Sequence, residues 1–169
     1  MNTSTLRTEP TAGHAALRAG RVETHSGQVW HLTFTTHERE PLFEDFKAAR
    51  VVAGCLHDSM AITDGRVLAW VVMPDHVHCL LQLDGGQSLS AAIGAFKSGC
   101  ARRVNRALER TGPLWARAYH DHAIRQDEDL RSVARYIVAN PLRAGLVERI
   151  ADYPFWNAVW MADPKPTPL

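Results

Sequence analysis

Two strand-length runs, 66–73 and 76–83, meet across Pro74-Asp75, and this hairpin constrains the fold more than any other feature of the chain. In the second run Val77, Cys79, Leu81 and Leu83 alternate with His76, His78, Leu80 and Gln82. Successive side chains of a strand point to opposite faces. One face is therefore apolar and faces a core, while the other presents two imidazoles separated by a single residue. Imidazoles so placed can share a metal ion. Taken alone, a His-x-His pair on a strand is more often a half-exposed polar face than a ligand set, so its meaning depends on what joins it.

The rest of the pattern surrounds the hairpin. Residues 28–36 alternate through Val29, Trp30, Leu32 and Phe34 as a first strand. Pro41 fits the first turn of a helix over 41–56, with Leu42, Phe43, Phe46, Ala49, Val52 and Ala53 at helical spacing. After Asp84-Gly85-Gly86, Ser88 caps a long helix predicted to reach about Arg110, broken by Thr111-Gly112-Pro113. Residues 114–125 read as a fourth strand. A last helix spans 127–140, with Asp127, Glu128 and Asp129 favouring its N-terminal dipole and Pro141 stopping it.

The order β-α-β-β-α-β plus a closing helix predicts an α+β fold: a ferredoxin-like split βαβ with an antiparallel sheet. That sheet hosts many functions, so fold alone decides nothing. The 169 residues suit one domain with a real core, expected over 27–158, between tails at 1–26 and 159–169.

Charge and cysteine usage narrow the setting. A net charge of +1 says little, but Lys97, Arg102, Arg103, Arg106, Arg110 and Arg117 fall in one segment opposed only by Glu109. Such a stripe is equally a nucleic-acid footprint or a solvated helix face. Cys55, Cys79 and Cys100 lack CxxC spacing, which argues against a disulfide framework or a cysteine zinc site. No segment is long and apolar enough to cross a membrane and no signal peptide is evident, so a reducing cytoplasm is the expected setting.

On the last helix Leu130, Val133, Ala134, Ile137 and Val138 form the stripe to be buried. Tyr136 and Asn140, four residues apart, share the flanking face. Singly, such a tyrosine is usually core or rim, and an asparagine before proline is usually a helix stop.

In order along the chain, Val72-Met73-Pro74-Asp75-His76-Val77-His78, Phe96-Lys97-Ser98, Gly112-Pro113-Leu114-Trp115, Tyr119 to Arg125, Tyr136-Ile137-Val138-Ala139-Asn140-Pro141-Leu142-Arg143-Ala144-Gly145-Leu146-Val147 and Asp152-Tyr153-Pro154 resemble the REP-associated tyrosine transposases, within the HUH single-tyrosine superfamily. The likeness spans roughly residues 28 to 156. Asp75 departs from it, since relatives often have Asn there; lying in a turn, it is expected to matter little.

The resemblance implies metal-dependent cleavage and rejoining of single-stranded DNA at palindromic hairpins. His76 and His78 would hold a divalent metal with Asn140 as third ligand, Mg²⁺ being the cellular ion and Mn²⁺ a good substitute. Tyr136 would be the nucleophile, leaving a 5′-phosphotyrosine and a free 3′-OH. Lys97, Arg102, Arg103 and Arg106 would hold phosphates. His120 and His122, a second His-x-His, are assigned a structural or supporting role, with a rival metal site as the minority reading. Partners are single-stranded or hairpin DNA and no membrane, and the protein is a monomer or a homodimer. A non-cleaving relative that binds structured DNA, and a small-molecule metallophosphohydrolase, are the competing functions.

Overall fold

The computed structural model describes residues 27–58, 65–126 and 128–161. The predicted tail at 1–26, the end of the other tail at 162–169, and Asp127 lie outside the described residues. In chain order the elements are β1 (Gln28–Thr35), α1 (Phe46–Asp58), β2 (Gly65–Met73), β3 (His76–Leu83), α2 (Leu89–Ala107), β4 (His120–Ala123), α3 (Leu130–Val138), a short α4 (Asn140–Arg143) and β5 (Trp156–Ala158), with short 3-10 turns between.

The strands form one sheet in the order β4-β1-β3-β2-β5, with every neighbouring pair antiparallel. Strand β3 inserts between β1 and β2, and β1 between β3 and β4, which is the ferredoxin-like α+β arrangement of two interlocked split βαβ units. Strand β5 extends the sheet on the outer edge of β2.

Each face of this sheet has its own core. On one, Leu32, Phe34, Val77, Cys79, Leu81 and Leu83 pack against α1 and α2. On the other, Val71, Met73 and Leu80 pack against Ala134, Ile137 and Val138 of α3. The histidines of β3 belong to this second face by strand alternation.

The structure sharpens several sequence expectations. Pro41 opens a 3-10 turn at Leu42–Glu44, and α1 begins only at Phe46, where the Asp45 carboxylate accepts from the Ala48 amide at 2.8 Å. The fourth strand is only His120–Ala123. Leu114 and Trp115 instead sink into the first core, and the Lys97 ammonium donates to the carbonyls of Ala116 and Arg117 at 2.6 and 3.2 Å. A cation thereby takes the carbonyls that a longer strand would offer its neighbour.

The last helix ends at Val138 rather than Asn140. Ala139 leaves helical geometry (φ −77°, ψ 1°), and Asn140-Pro141 opens the separate turn α4. Proline has no amide to donate and crowds the preceding turn, so it sits where a helix starts. Of the acids predicted for the first helical turn, Asp129 lies just before it and accepts from the amides of Arg131 and Ser132. Strand β5 gave no signal in the sequence, being three residues long. Val159–Met161, assigned to a tail, forms a 3-10 turn whose Val159 and Trp160 pack against the second core.

Adjacent residues of α3 should behave oppositely. Ile137 is fully buried and Tyr136 is 55% exposed. Ile137→Ala should cost about 2–5 kcal/mol in urea unfolding, and Tyr136→Phe less than about 0.5 kcal/mol. Equal losses would contradict the packing of α3 described above.

Candidate active site

Burial of Val77 and Cys79 on the helix-covered side fixes which way β3 faces. His76 and His78 are thereby directed to the other side, with ring centroids 4.9 Å apart and planes nearly perpendicular. Each ring is held from behind through Nδ1. His76 Nδ1 lies 2.5 Å from an Asp75 carboxylate oxygen, and Arg39 donates to the same carboxylate at 3.1 Å. Burial opposes ionisation of Asp75, but its bonds to His76 and Arg39 hold its carboxyl below the usual range. Asp75 is therefore no bystander in a turn.

His78 Nδ1 lies 3.0 Å from Thr33 Oγ1 and 3.3 Å from His31 Nε2. Thr33 pairs directly with His78 across the β1–β3 ladder, so the two share a face. Burial, then the neighbouring His76, His31 and Arg143, push the His78 pKa down to about 3. His78 is thus neutral in ordinary buffers, the form that ligates metals. With both Nδ1 atoms engaged, both Nε2 atoms are left for a ligand.

On α3, burial of Ala134, Ile137 and Val138 turns Tyr136 outward. Arg143 meets it: Nη2 donates to the Tyr136 hydroxyl at 2.9 Å, and the guanidinium carbon lies 3.9 Å from the ring centroid. Asn140 is buried, and its amide nitrogen donates to the carbonyls of Ile137 (2.8 Å) and Tyr136 (3.3 Å). The nitrogen end is committed to the helix terminus, which leaves the amide oxygen as the end available to a cation. The histidine pair, Asn140 and Tyr136 lie on one side of the sheet.

The residues present suit a divalent ion. Among the described residues no three His, Cys, Asp or Glu side chains converge on one point, so the histidine pair needs an oxygen donor of another kind. Asn140 is of that kind. Two imidazoles and an amide oxygen would leave coordination positions for phosphate oxygens and water.

The basic residues divide differently. Helix α2 packs on the face of the sheet opposite to the histidines. Lys97 is half-buried beneath the backbone of Ala116 and Arg117, and that burial lowers its pKa. Arg103 pairs with Asp58 at 2.9 Å. Arg102 and Arg106 are exposed on the outer surface. His120 and His122 lie on the exposed edge strand opposite Thr33 and His31, so they extend the polar row of the histidine face. His122 approaches Glu128 at 3.5 Å.

Sequence reasoning missed Thr33, His31, Asp75 and Arg143. Alternation in β1 puts His31 and Thr33 on one face, but only the β1–β3 register shows that this face meets His78.

Residues 24–140 match the family model described as Transposase IS200 like. Curated relatives include a Haemophilus influenzae protein of the REP-associated tyrosine transposase class, 32% identical over 98 residues, and the REP-associated tyrosine transposase of Escherichia coli K12, 33% identical over 88 residues. Each alignment covers 52% of this chain, and 56% and 50% of the relatives; the chain spans about half the length of the curated relatives it matches. Among solved structures, a REP-associated tyrosine transposase bound to a REP hairpin superimposes with a TM-score of 0.61 at 26% identity, covering 78% of this chain and 77% of that one.

The neutral state of His78 has a measurable consequence. An unfolded chain protonates it near 6.5, the folded one near 3. Its contribution to stability is therefore complete above about pH 6.5 and is lost as pH falls towards 3. His31, lowered by burial and then by His122, acts in the same direction. In metal-free buffer the thermal midpoint should drop across this window, and His78→Gln should flatten that drop. An unchanged acid slope in the variant would assign the effect to other groups.

Proposed function

The chain belongs to the IS200-like transposase family, and from that premise we propose that it cleaves and rejoins single-stranded DNA beside a REP-type hairpin, with Tyr136 as nucleophile and His76, His78 and Asn140 as ligands of a divalent metal. The observation that carries the reading is the presence of two half-buried imidazoles, each engaged through Nδ1, and a tyrosine hydroxyl on the same side of one sheet. The hairpin as substrate is carried over from the REP-hairpin complex of the structural neighbour.

The metal, Mg²⁺ or Mn²⁺, would supply charge neutralisation at the scissile phosphate. The chain's own residues account for the rest. Tyr136 Oη attacks phosphorus; a P–O(Tyr) bond forms as the P–O3′ bond breaks. The phenolic proton is lost to water and the departing 3′ oxygen takes one up, leaving a 5′-phosphotyrosine and a free 3′-OH. The linkage conserves the phosphodiester bond energy, so the reverse attack by a 3′-OH rejoins DNA without a nucleotide cofactor. Asp75 accepts from Nδ1–H of His76, and Thr33 and His31 meet Nδ1 of His78, so that Nε2 of each ring is the nitrogen that would ligate. Because α2 lies across the sheet, Arg102 and Arg106 would hold flanking or stem phosphates at a distance from the chemistry.

The defining experiment uses an end-labelled oligonucleotide carrying a hairpin and a single-stranded flank. With Mg²⁺ or Mn²⁺ the protein should form a denaturant-resistant adduct, absent with EDTA and in Tyr136→Phe. Hairpin binding without adduct in either metal would replace this reading with that of a non-cleaving binder. Asp75→Ala should weaken metal affinity by about 10- to 100-fold and leave the hairpin affinity measured in EDTA unchanged.

The basic helix is tested by salt. Arg102→Gln with Arg106→Gln should weaken hairpin binding and reduce the salt slope by about one for each phosphate contact removed. Lys97→Gln should lower the thermal midpoint instead, because its ammonium holds the 116–117 backbone. An unaltered salt slope in the double variant would remove α2 from the interface.

A further inference from the structure

Tyr136 is more than half exposed, and on an exposed helix face a tyrosine samples several rotamers. Here one cation restrains it from three directions. The Arg143 guanidinium lies over the ring at 3.9 Å, its Nη2 donates to the hydroxyl at 2.9 Å, and its Nη1 reaches the Tyr136 carbonyl at 3.3 Å. On an unbroken helix two residues seven apart are separated by a rise of about 10.5 Å. The break at Ala139 and the new turn α4 bring Arg143 back over the tyrosine. The same turn begins with Asn140, so one four-residue element carries both the candidate oxygen ligand and the contact to the nucleophile.

We propose that Arg143 is a positioning residue for Tyr136: its guanidinium grips ring and hydroxyl together, so that the phenolic oxygen is presented in one orientation on the histidine side of the sheet. The proposal rests on the reading of Tyr136 as nucleophile. Arginine stays charged and has no acceptor atom, so it cannot take the phenolic proton. What it supplies is orientation, and orientation is worth much in phosphoryl transfer, where a reacting atom misplaced by about 1 Å loses about 100-fold in rate. Lysine cannot substitute: a point-like ammonium cannot lie flat on a ring and donate to that ring's hydroxyl.

The test is single-turnover adduct formation on the hairpin oligonucleotide at saturating protein, with hairpin affinity measured in parallel. Arg143→Ala should slow adduct formation by about 100-fold with unchanged affinity and thermal midpoint. Arg143→Lys should restore little of the rate. Millimolar guanidinium chloride should restore part of the rate of Arg143→Ala and none of Tyr136→Phe. A wild-type adduct rate in Arg143→Ala, or a rate loss matched by an equal affinity loss without guanidinium rescue, overturns the positioning role while leaving Tyr136 as nucleophile. If the alanine variant is poorly folded, an Arg143→Lys rate equal to wild type overturns it as well. Absence of an adduct in the wild-type protein overturns the nucleophile reading itself, and this inference with it.

Discussion

The burial of Val77 and Cys79 between β3 and the two covering helices is the constraint on which the rest depends. Strand β3 lies between β1 and β2 and is laddered to both along its length. A slip of one residue would drive His76 and His78 into a dry core and bring two apolar side chains to the other face. Desolvating two imidazoles without full partners costs several kcal/mol by general estimates, so the register is enforced from the side that carries no chemistry. The α1/α2 core thus works as a clamp on the orientation of the opposite face. The closing helix exploits that orientation, because Leu80, Val71 and Met73 on the histidine side give α3 its landing surface.

A second layer of constraint is the accounting of nitrogen atoms. A metal-ligating imidazole almost always donates its other ring N–H to a partner, which fixes its tautomer and orientation. Asp75, ionised, can only accept, so Nδ1 of His76 must carry the proton. An asparagine amide in that place could present either its oxygen or its nitrogen and would specify the tautomer less strictly. At His78 the partner is a threonine hydroxyl, which can donate or accept, and the neutral state is enforced by burial instead. The two histidines thus have Nδ1 engaged by different physics, a carboxylate at His76 and a hydroxyl under burial at His78.

This division also explains what could be read from the sequence. Alternation is local, so strands β1 to β3, the facing of His76 and His78, and the helices α1 and α2 are legible to within one or two turns. Helix α3 was legible from its apolar stripe, and Tyr136 and Asn140 from resemblance. Contacts that depend on register or on a chain break were not. Thr33 and His31 are ordinary strand residues until β1 is laid beside β3. The shortened β4 reflects a lysine reaching 19 residues along the chain to carbonyls that periodicity counts as strand. Strand β5 is too short to alternate.

Arg143 is the instructive case. Read as a continuous helix, the segment from Tyr136 to Arg143 puts the arginine two turns beyond the tyrosine, too far to stack on its ring. Pro141 stops a helix, as its missing amide requires. A stop at this point is also a start, because proline is as acceptable at the first position of a helix as it is disruptive inside one. The chain uses both properties within three residues. Asn140 closes α3 by donating to its terminal carbonyls, opens α4 with its own backbone, and keeps its amide oxygen for another partner. The geometry of the candidate site is therefore set by a helix that ends two residues early, and no count of apolar spacing could have placed that ending without knowing what Asn140 bonds to.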